Sequence, residues 1–374
     1  MKIRLFALAL TALTLTPIFG AEDSKTINPA LLYWQAAAKL PPLSNEQATE
    51  LVEMATGQRA FDAAKGNDFL KSEATLRLLR KGAESTADCD WGLPTEDGPA
   101  TLLPHLAKMR QMSSLAIVQA EALFAEGKVK EGIDWLLVAH RMARHAGSGD
   151  FLISYLVQVA METSAIHAAA RHCLAWDAQS RHEYAAALKA LPPLHSIQTA
   201  FNGERIFIDW VERHAAADGK PDAQLQAAIA SAETNKPGDK EALATLRVTK
   251  TTIASWRDLQ DRVAAAFGKP WSQAQPELKA LTDEAARSPN LLVRIAFPTT
   301  TAVAEKNFIL ATLQTMLDAA LQHGPQLDDA AAATYHDSLE GEPLRLQKDA
   351  NGTMTLMAAR QHPAGKDLSL QLGK

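Results

Sequence analysis

Residues 150–173, DFLISYLVQVAMETSAIHAAARHC, decide the fold class of this chain. Between Phe151 and Met161 the segment is apolar on almost every side of a helix. A helix that is apolar all round is typical of a position buried inside a protein core. The segment therefore predicts the central helix of a mainly α fold.

The residues before this segment predict a helical hairpin. Gly127 separates two helical patterns, of which the second is KVKEGIDWLLVAHRMARHAG at 128–147. The first pattern places apolar residues three or four positions apart, at Leu102, Leu106, Met109, Ala116, Ala120 and Leu123. Because the turn between the two patterns is short, the helices are expected to lie antiparallel.

Helix signals continue on both sides of the hairpin. Ser44 with Gln47 three residues later forms the capping-box pattern of a helix start. Residues 22–324 are predicted to form a helical domain, an irregular helical bundle or short helical-hairpin stack of about ten helices. Within it, the polar, proline-interrupted segment 218–241 predicts an exposed excursion with one weak helix, and its mobility is left open.

The last forty residues change from a helical to a strand pattern. Leu344 and Leu346 alternate with polar residues, as do Met354 and Leu356 after the Asn351-Gly352 pair. An Asn-Gly pair between two alternating runs is a strong hairpin signal. Residues 335–374 are therefore predicted as a small β-hairpin and a tail, frayed from His362 onward.

The first residues have the pattern of a secretory signal peptide. Lys2 and Arg4 precede the apolar run LFALALTALTLTPIF, and small residues follow it. The run is shorter than the roughly 20 residues that span a bilayer, so no stable membrane span is expected in the mature chain. We predict a signal peptide at 1–21 and a periplasmic or extracellular protein that starts near Glu22, with a retained membrane anchor as the alternative.

Charge and composition exclude some classes of function. The composition is that of a globular protein, with 47% hydrophobic and 22% charged residues. The formal net charge is −5 and the sequence pI is about 6.1. No basic stripe for phosphate contacts is present, so nucleic acid is not expected as a partner.

The two cysteines, Cys89 and Cys173, leave two alternatives open. In an oxidising compartment they can form one disulfide, which would close a long loop and contribute about 4 kcal/mol. Alternatively, both are small buried apolar residues with free thiols.

The sequence contains no recognisable catalytic or metal-binding motif. It has no GxSxG elbow, phosphate-binding loop, dinucleotide GxGxxG or CxxC. The pairs His140/His145 and His167/His172 are each five residues apart, which turns them about 140° around a helix. Zinc ligands on one helix need a step of three or four residues, so neither a metal nor a cofactor is predicted.

Glu162 is a candidate functional residue because it follows the apolar run of the helix that is expected to be most buried. A buried carboxylate needs a partner or a raised pKa, and either is compatible with a site. The favoured interpretation is a structural ion pair or capping contact to another helix, with Arg110 or Arg141 as the expected partner.

The stretch CDWG at 89–92 also resembles a site. Trp91 could line the floor of a polar pocket with His105, Arg110 and Glu162, or it could lock a corner of the fold. The proline- and glycine-rich loop has little regular hydrogen bonding of its own, so the corner is favoured and Trp91 is expected to be buried.

Four segments resemble an uncharacterised family of exported bacterial helical proteins. They are NPALLYWQAAAKLPPL, CDWG with LLPHLAKMR, DFLISYLVQVAMETSA and the ending DSLEGEPLRLQKDANGTMTLMA. The ending is similar to a β tail of some pseudopilin-like secreted proteins, with Gly341, Pro343 and Asn351-Gly352 in place. Ser338-Leu339 stands where an aromatic residue is usual. The resemblance implies export and a helical fold, and it carries no known activity.

Two functions remain open on the sequence alone. The first is a non-enzymatic binding or scaffold protein of the cell envelope, with another envelope protein or a polymer as its partner and Trp91 as a candidate binding residue. The second is a hydrolase or lyase of unknown class that uses Glu162, His105 and Arg110. These three side chains would have to converge on a water-accessible pocket for catalysis.

Overall fold

The chain folds into a mainly α-helical protein with a small C-terminal antiparallel sheet, which confirms the predicted fold class. The computed structural model describes residues 26–149, 151–231, 246–297, 300–361 and 367–373. The predicted signal peptide at 1–21 lies outside these residues. None of the helices they form combines the length and the apolar character needed to cross a membrane.

Eight helices make up the first half of the described chain. They are α1 Pro29–Lys39, α2 Asn45–Thr56, α3 Ala63–Phe69, α4 Glu73–Glu84, α5 Pro104–Ala125, α6 Val129–Gly147, α7 Leu152–Cys173 and α8 Ala178–Lys189. A 3-10 helix, Thr95–Ala100, lies in the loop before α5. The predicted capping box at the start of α2 is present, because Ser44 and Gln47 bond each other's backbone N–H groups.

The α5–α6 hairpin forms at the predicted place. Gly127 has a left-handed φ of 76° in the turn between the two helices, where a residue without a Cβ avoids strain. At Gly132 an added Cβ would lie only 2.4 Å from the ring of Phe124. The absence of a side chain at position 132 therefore lets α6 pack closely against the end of α5.

Helix α7 is the buried centre of the fold, as predicted. It packs against the α5–α6 hairpin, against α2 and, through other parts of its surface, against the C-terminal half of the chain. Tyr155 and Ile166 are almost completely buried, and so are most residues between them. The apolar side chains on different sides of α7 are therefore buried against different elements of the fold.

The second half adds seven further helices and one helical turn. The helices are α9 Ile197–Gly203, α10 Arg205–Arg213, α11 Ala223–Ser231, α12 Lys250–Phe267, α13 Trp271–Arg287, α14 Leu291–Ala296 and α15 Thr300–His323. A 3-10 turn, Gly324–Gln326, and a helical turn, Asp329–Ala332, follow α15. Helix α11 lies in the predicted excursion at 218–241, where most described side chains are exposed and Leu225 is buried. The part of that segment after residue 231 lies outside the described residues.

The C-terminal sheet has three strands in the order β1-β2-β3: Arg345–Lys348, Met354–Gln361 and Asp367–Leu372. Strands β1 and β2 form the predicted hairpin, with Leu346 opposite Leu356.

The predicted frayed tail is wrong where β3 forms. Leu368, Leu370 and Leu372 alternate with polar residues, so one face of β3 is apolar and buried. Beyond the strand, Gly373 N–H donates to the carbonyl oxygen of Ala170 at 3.0 Å. Strand β3 therefore covers part of α7 and contacts α15.

Candidate functional site

The three candidate catalytic residues do not converge on one pocket. Glu162 faces α6 and lies at the floor of a groove beside α8, whereas Arg110 lines a separate cleft over α7. His105 is buried against Trp91. His105 and Arg110 are five residues apart on α5, so their side chains leave the helix about 140° apart. The alternative interpretation, a pocket of Trp91, His105, Arg110 and Glu162, is therefore not supported by the described structure.

Glu162 is instead sealed by two residues of α6. Arg144 Nη1 donates to both carboxylate oxygens, at 3.1 and 3.3 Å. His140 Nδ1 lies 3.0 Å from Oε1 with poor hydrogen-bond alignment, and its Nε2 is 2.7 Å from the hydroxyl of Tyr184. His140 and Arg144 are four residues apart and so share one face of α6. The predicted structural ion pair is present, but the expected partners Arg110 and Arg141 were wrong.

The Glu162 cluster, defined as Glu162, His140, Arg144 and Tyr184, keeps the carboxylate charged. Burial alone would raise the pKa of Glu162, but His140 and Arg144 outweigh burial and leave the pKa below its ordinary value. A carboxylate with a lowered pKa and both oxygens engaged is a poor general base. No third histidine, cysteine or carboxylate joins His140 and Glu162 in the described part of the chain, so the cluster supplies no metal-ligand set.

A groove runs above the Glu162 cluster between α8 and α15. It consists of two adjoining cavities of about 490 and 530 Å³ that share Ala185, Lys189, Asp318 and Leu321. Apolar side chains such as Ile166 and Leu188 line its walls. The charged and titratable side chains along it are His140, Arg144, Glu162, Arg181, His182, Lys189 and Asp318. We refer to it as the α8–α15 groove.

Trp91 forms a buried corner, as predicted. Its ring stacks on His105 with centroids 4.4 Å apart, and Nε1 donates to the carbonyl oxygen of His145 at 2.9 Å. Tyr33 and Trp34 of α1 also contact the ring. Burial lowers the pKa of His105 and of His145 to about 4, so both imidazoles are neutral at pH 7. The corner therefore joins α1, α5 and α6 through neutral aromatic contacts.

Of the two alternatives for the cysteines, the structure has the free thiols and not the disulfide. The carbonyl oxygen of Cys89 accepts a hydrogen bond from Ser148, beside the loop that enters α7, whereas Cys173 is the last residue of α7. A helix of 22 residues is about 33 Å long, and disulfides need Cα atoms within about 7 Å. Both cysteines are free, and burial raises the pKa of each thiol to about 12.

We expect two free thiols per chain when the purified protein is unfolded and alkylated without reductant. In the native protein the buried, protonated Cys173 should react far more slowly than after unfolding, because the thiolate is the reactive form. Mass spectrometry of the alkylated chain measures both, with Cys173→Ser as the control that loses one adduct. Recovery of a linked Cys89–Cys173 peptide would contradict this separation.

A second buried carboxylate, Glu121 of α5, was not identified from the sequence. Its Oε1 accepts from Arg171 Nη2 at 2.7 Å, and its Oε2 lies 2.9 Å from His172 Nε2. Phe124 stacks on the ring of His172. The signal was the same as for Glu162, because Glu121 follows Ala120 in the apolar stripe of α5. Two sides of α7 thus contact a Glu–Arg–His group with a buried carboxylate.

No protein-family model matches the chain, and no curated protein or solved structure shows significant similarity to it. The resemblance to an exported helical family therefore stays a prediction.

Proposed function

We propose that this protein is an exported, non-enzymatic binding protein of the cell envelope that accepts a segment of a partner protein in the α8–α15 groove. The observation that carries the proposal is the open α8–α15 groove above the buried, ion-paired carboxylate of Glu162. The floor of the groove is fixed by the Glu162 cluster, whose four side chains are at least nine-tenths buried. Export rests on the signal-peptide pattern at 1–21.

The groove has the dimensions of a peptide-binding surface. Helix α8 has 12 residues and is therefore about 18 Å long, enough for five or so residues of an extended segment. Apolar walls can bury side chains of that segment. Exposed Lys189 stands at the rim, 3.8 Å from Asp318, so the rim offers charges of both signs to polar residues of the segment.

The contacts of Glu162 argue against the alternative function, a hydrolase or lyase. A catalytic carboxylate needs a free oxygen within reach of substrate, and both oxygens of Glu162 are engaged by α6. The other two proposed catalytic residues lie elsewhere.

Site-specific photo-crosslinking tests the proposal. A photoreactive amino acid at Ala186, an exposed position in the groove, should give one discrete adduct in envelope extract. The same amino acid at Ala280, an exposed position of α13 away from the groove, should not give it. Lys189→Glu should reduce the Ala186 adduct severalfold, because it reverses a charge at the rim.

Two results would count against the groove as the binding surface. One is an identical set of adducts from Ala186 and Ala280. The other is a discrete adduct whose yield is unchanged in Lys189→Glu and in a variant with Ala185→Trp, which fills the groove.

A further inference from the structure

Arg110 lies at an apolar cleft that the proposed function does not use. The Arg110 cleft has a volume of about 510 Å³ and lies over α7, between α2, α5 and α15. Val52, Val159 and Ile309 supply apolar surface from three different helices. Val52 is 39% exposed, so part of this apolar surface is open to solvent.

The charge along the cleft has one sign. Arg110 of α5 and Lys306 of α15 are its charged lining residues, and both are exposed. Among the described residues neither has an ion-pair or hydrogen-bond partner. Two unpaired cations beside apolar surface favour an occupant with a hydrocarbon part and a negative group.

A buried hydroxyl gives a second indication of a ligand. Ser113 lies one helical turn after Arg110 and lines the cleft, with only 2% of its surface exposed. Its Oγ has no hydrogen-bond partner in the described structure. Most buried hydroxyls in proteins are hydrogen-bonded, so an anionic group held by Arg110 would also supply the acceptor that Ser113 lacks.

The size of the cleft suits a small molecule, because its volume of about 510 Å³ lies in the range of about 300–1,000 Å³ that is usual for small-ligand pockets. A linear hydrocarbon chain can follow the apolar surface.

We propose that the Arg110 cleft binds a free acyl carboxylate of the fatty-acid class. The hydrocarbon chain packs on Val52, Val159 and Ile309. The carboxylate accepts charge-assisted hydrogen bonds from Arg110 and Lys306 and a hydrogen bond from Ser113. This site is independent of the α8–α15 groove.

Calorimetric titration of the purified protein with laurate below its micellar concentration tests the proposal. We expect saturable binding at one site. Arg110→Gln should weaken it about tenfold, because one charge-assisted hydrogen bond is lost. Lys108→Gln removes an exposed cation of the same helix outside the cleft and should leave the affinity unchanged. Ala160→Trp, at an exposed position that lines the cleft, should abolish binding.

Each competing result has a separate readout. Equal affinity for laurate and dodecanol, or unchanged laurate affinity in Arg110→Gln, would overturn the carboxylate contact. A second outcome is that laurate does not bind the wild type, while the protein co-sediments with phosphatidylglycerol vesicles and Ala160→Trp abolishes this co-sedimentation. That outcome would assign the cleft to membrane lipid and would overturn the proposal of a free fatty acid. Failure of both would leave the cleft without the proposed ligand class. A melting temperature of Ala160→Trp close to wild type shows that its loss of binding is not unfolding.

Discussion

Replacing Glu162 with glutamine is expected to lower the free energy of unfolding by about 3–5 kcal/mol, the usual cost of removing one partner of a buried ion pair. Glutamine keeps the shape of the side chain but leaves Arg144 without a counter-charge. Arg144 is buried and cannot turn to solvent without disturbing its hydrogen bond to the carbonyl oxygen of Pro192. Urea unfolding of the wild type and the variant at pH 7 measures the difference.

An exposed ion pair provides the matched control. Glu284 also accepts two hydrogen bonds from one arginine, Arg262, at 2.7 and 2.6 Å. About half of each of these side chains is exposed, so Glu284→Gln should cost less than about 1 kcal/mol. Equal effects of the two substitutions would show that the Glu162 cluster is not the buried anchor that its contacts indicate.

The pH dependence of stability gives an independent test of Glu162. Its pKa is lowered in the folded state, so the stability that the charged form contributes is present above the ordinary value of 4.5. That contribution is lost as the pH falls from 4.5 through the lowered pKa. Stability of Glu162→Gln should therefore fall less steeply than that of the wild type over this acid range.

Replacing Trp91 with alanine is expected to destabilise the protein by a similar amount, about 3–5 kcal/mol. The substitution removes the stack on His105, the contacts with α1 and the hydrogen bond to the His145 carbonyl group. Thermal and urea unfolding measure the loss. Trp91→Phe should cost less, because a ring remains to pack against His105.

Trp34 is the comparison for this corner. It touches the edge of Trp91 but is 36% exposed, so Trp34→Ala should have a clearly smaller effect. The corner interpretation is wrong if Trp91→Ala has the same thermal and urea stability as the wild type but no longer gives the crosslinked adduct from position Ala186. Trp91 would then be a recognition residue.

The helical part of the fold could be predicted because its signals are local. The apolar run before Glu162 and the glycine at 127 each act within a few turns of their own helix. Strand β3 was missed for the opposite reason. Its three leucines alternate over only six residues, and burial of this face depends on α7, which is about 190 residues away in sequence.

The candidate site could not be predicted in full, because it depends on how the helices are rotated against one another, which the sequence does not show. Glu162 was recognised as needing a partner, but the choice between Arg141 and Arg144 is decided by the rotation of α6 against α7. The two alternatives for the cysteines stayed open because the distance between their Cα atoms cannot be read from the sequence. His105 and Arg110 were grouped although their spacing turns them to different sides of α5.

Strand β3 also has a consequence for how the chain is made. About 190 residues separate the end of α7 from the strand that covers it. The Ala170 end of α7 therefore stays uncovered until the C-terminal end of the chain has been synthesised and has folded. Until then the chain exposes apolar surface that the finished protein hides.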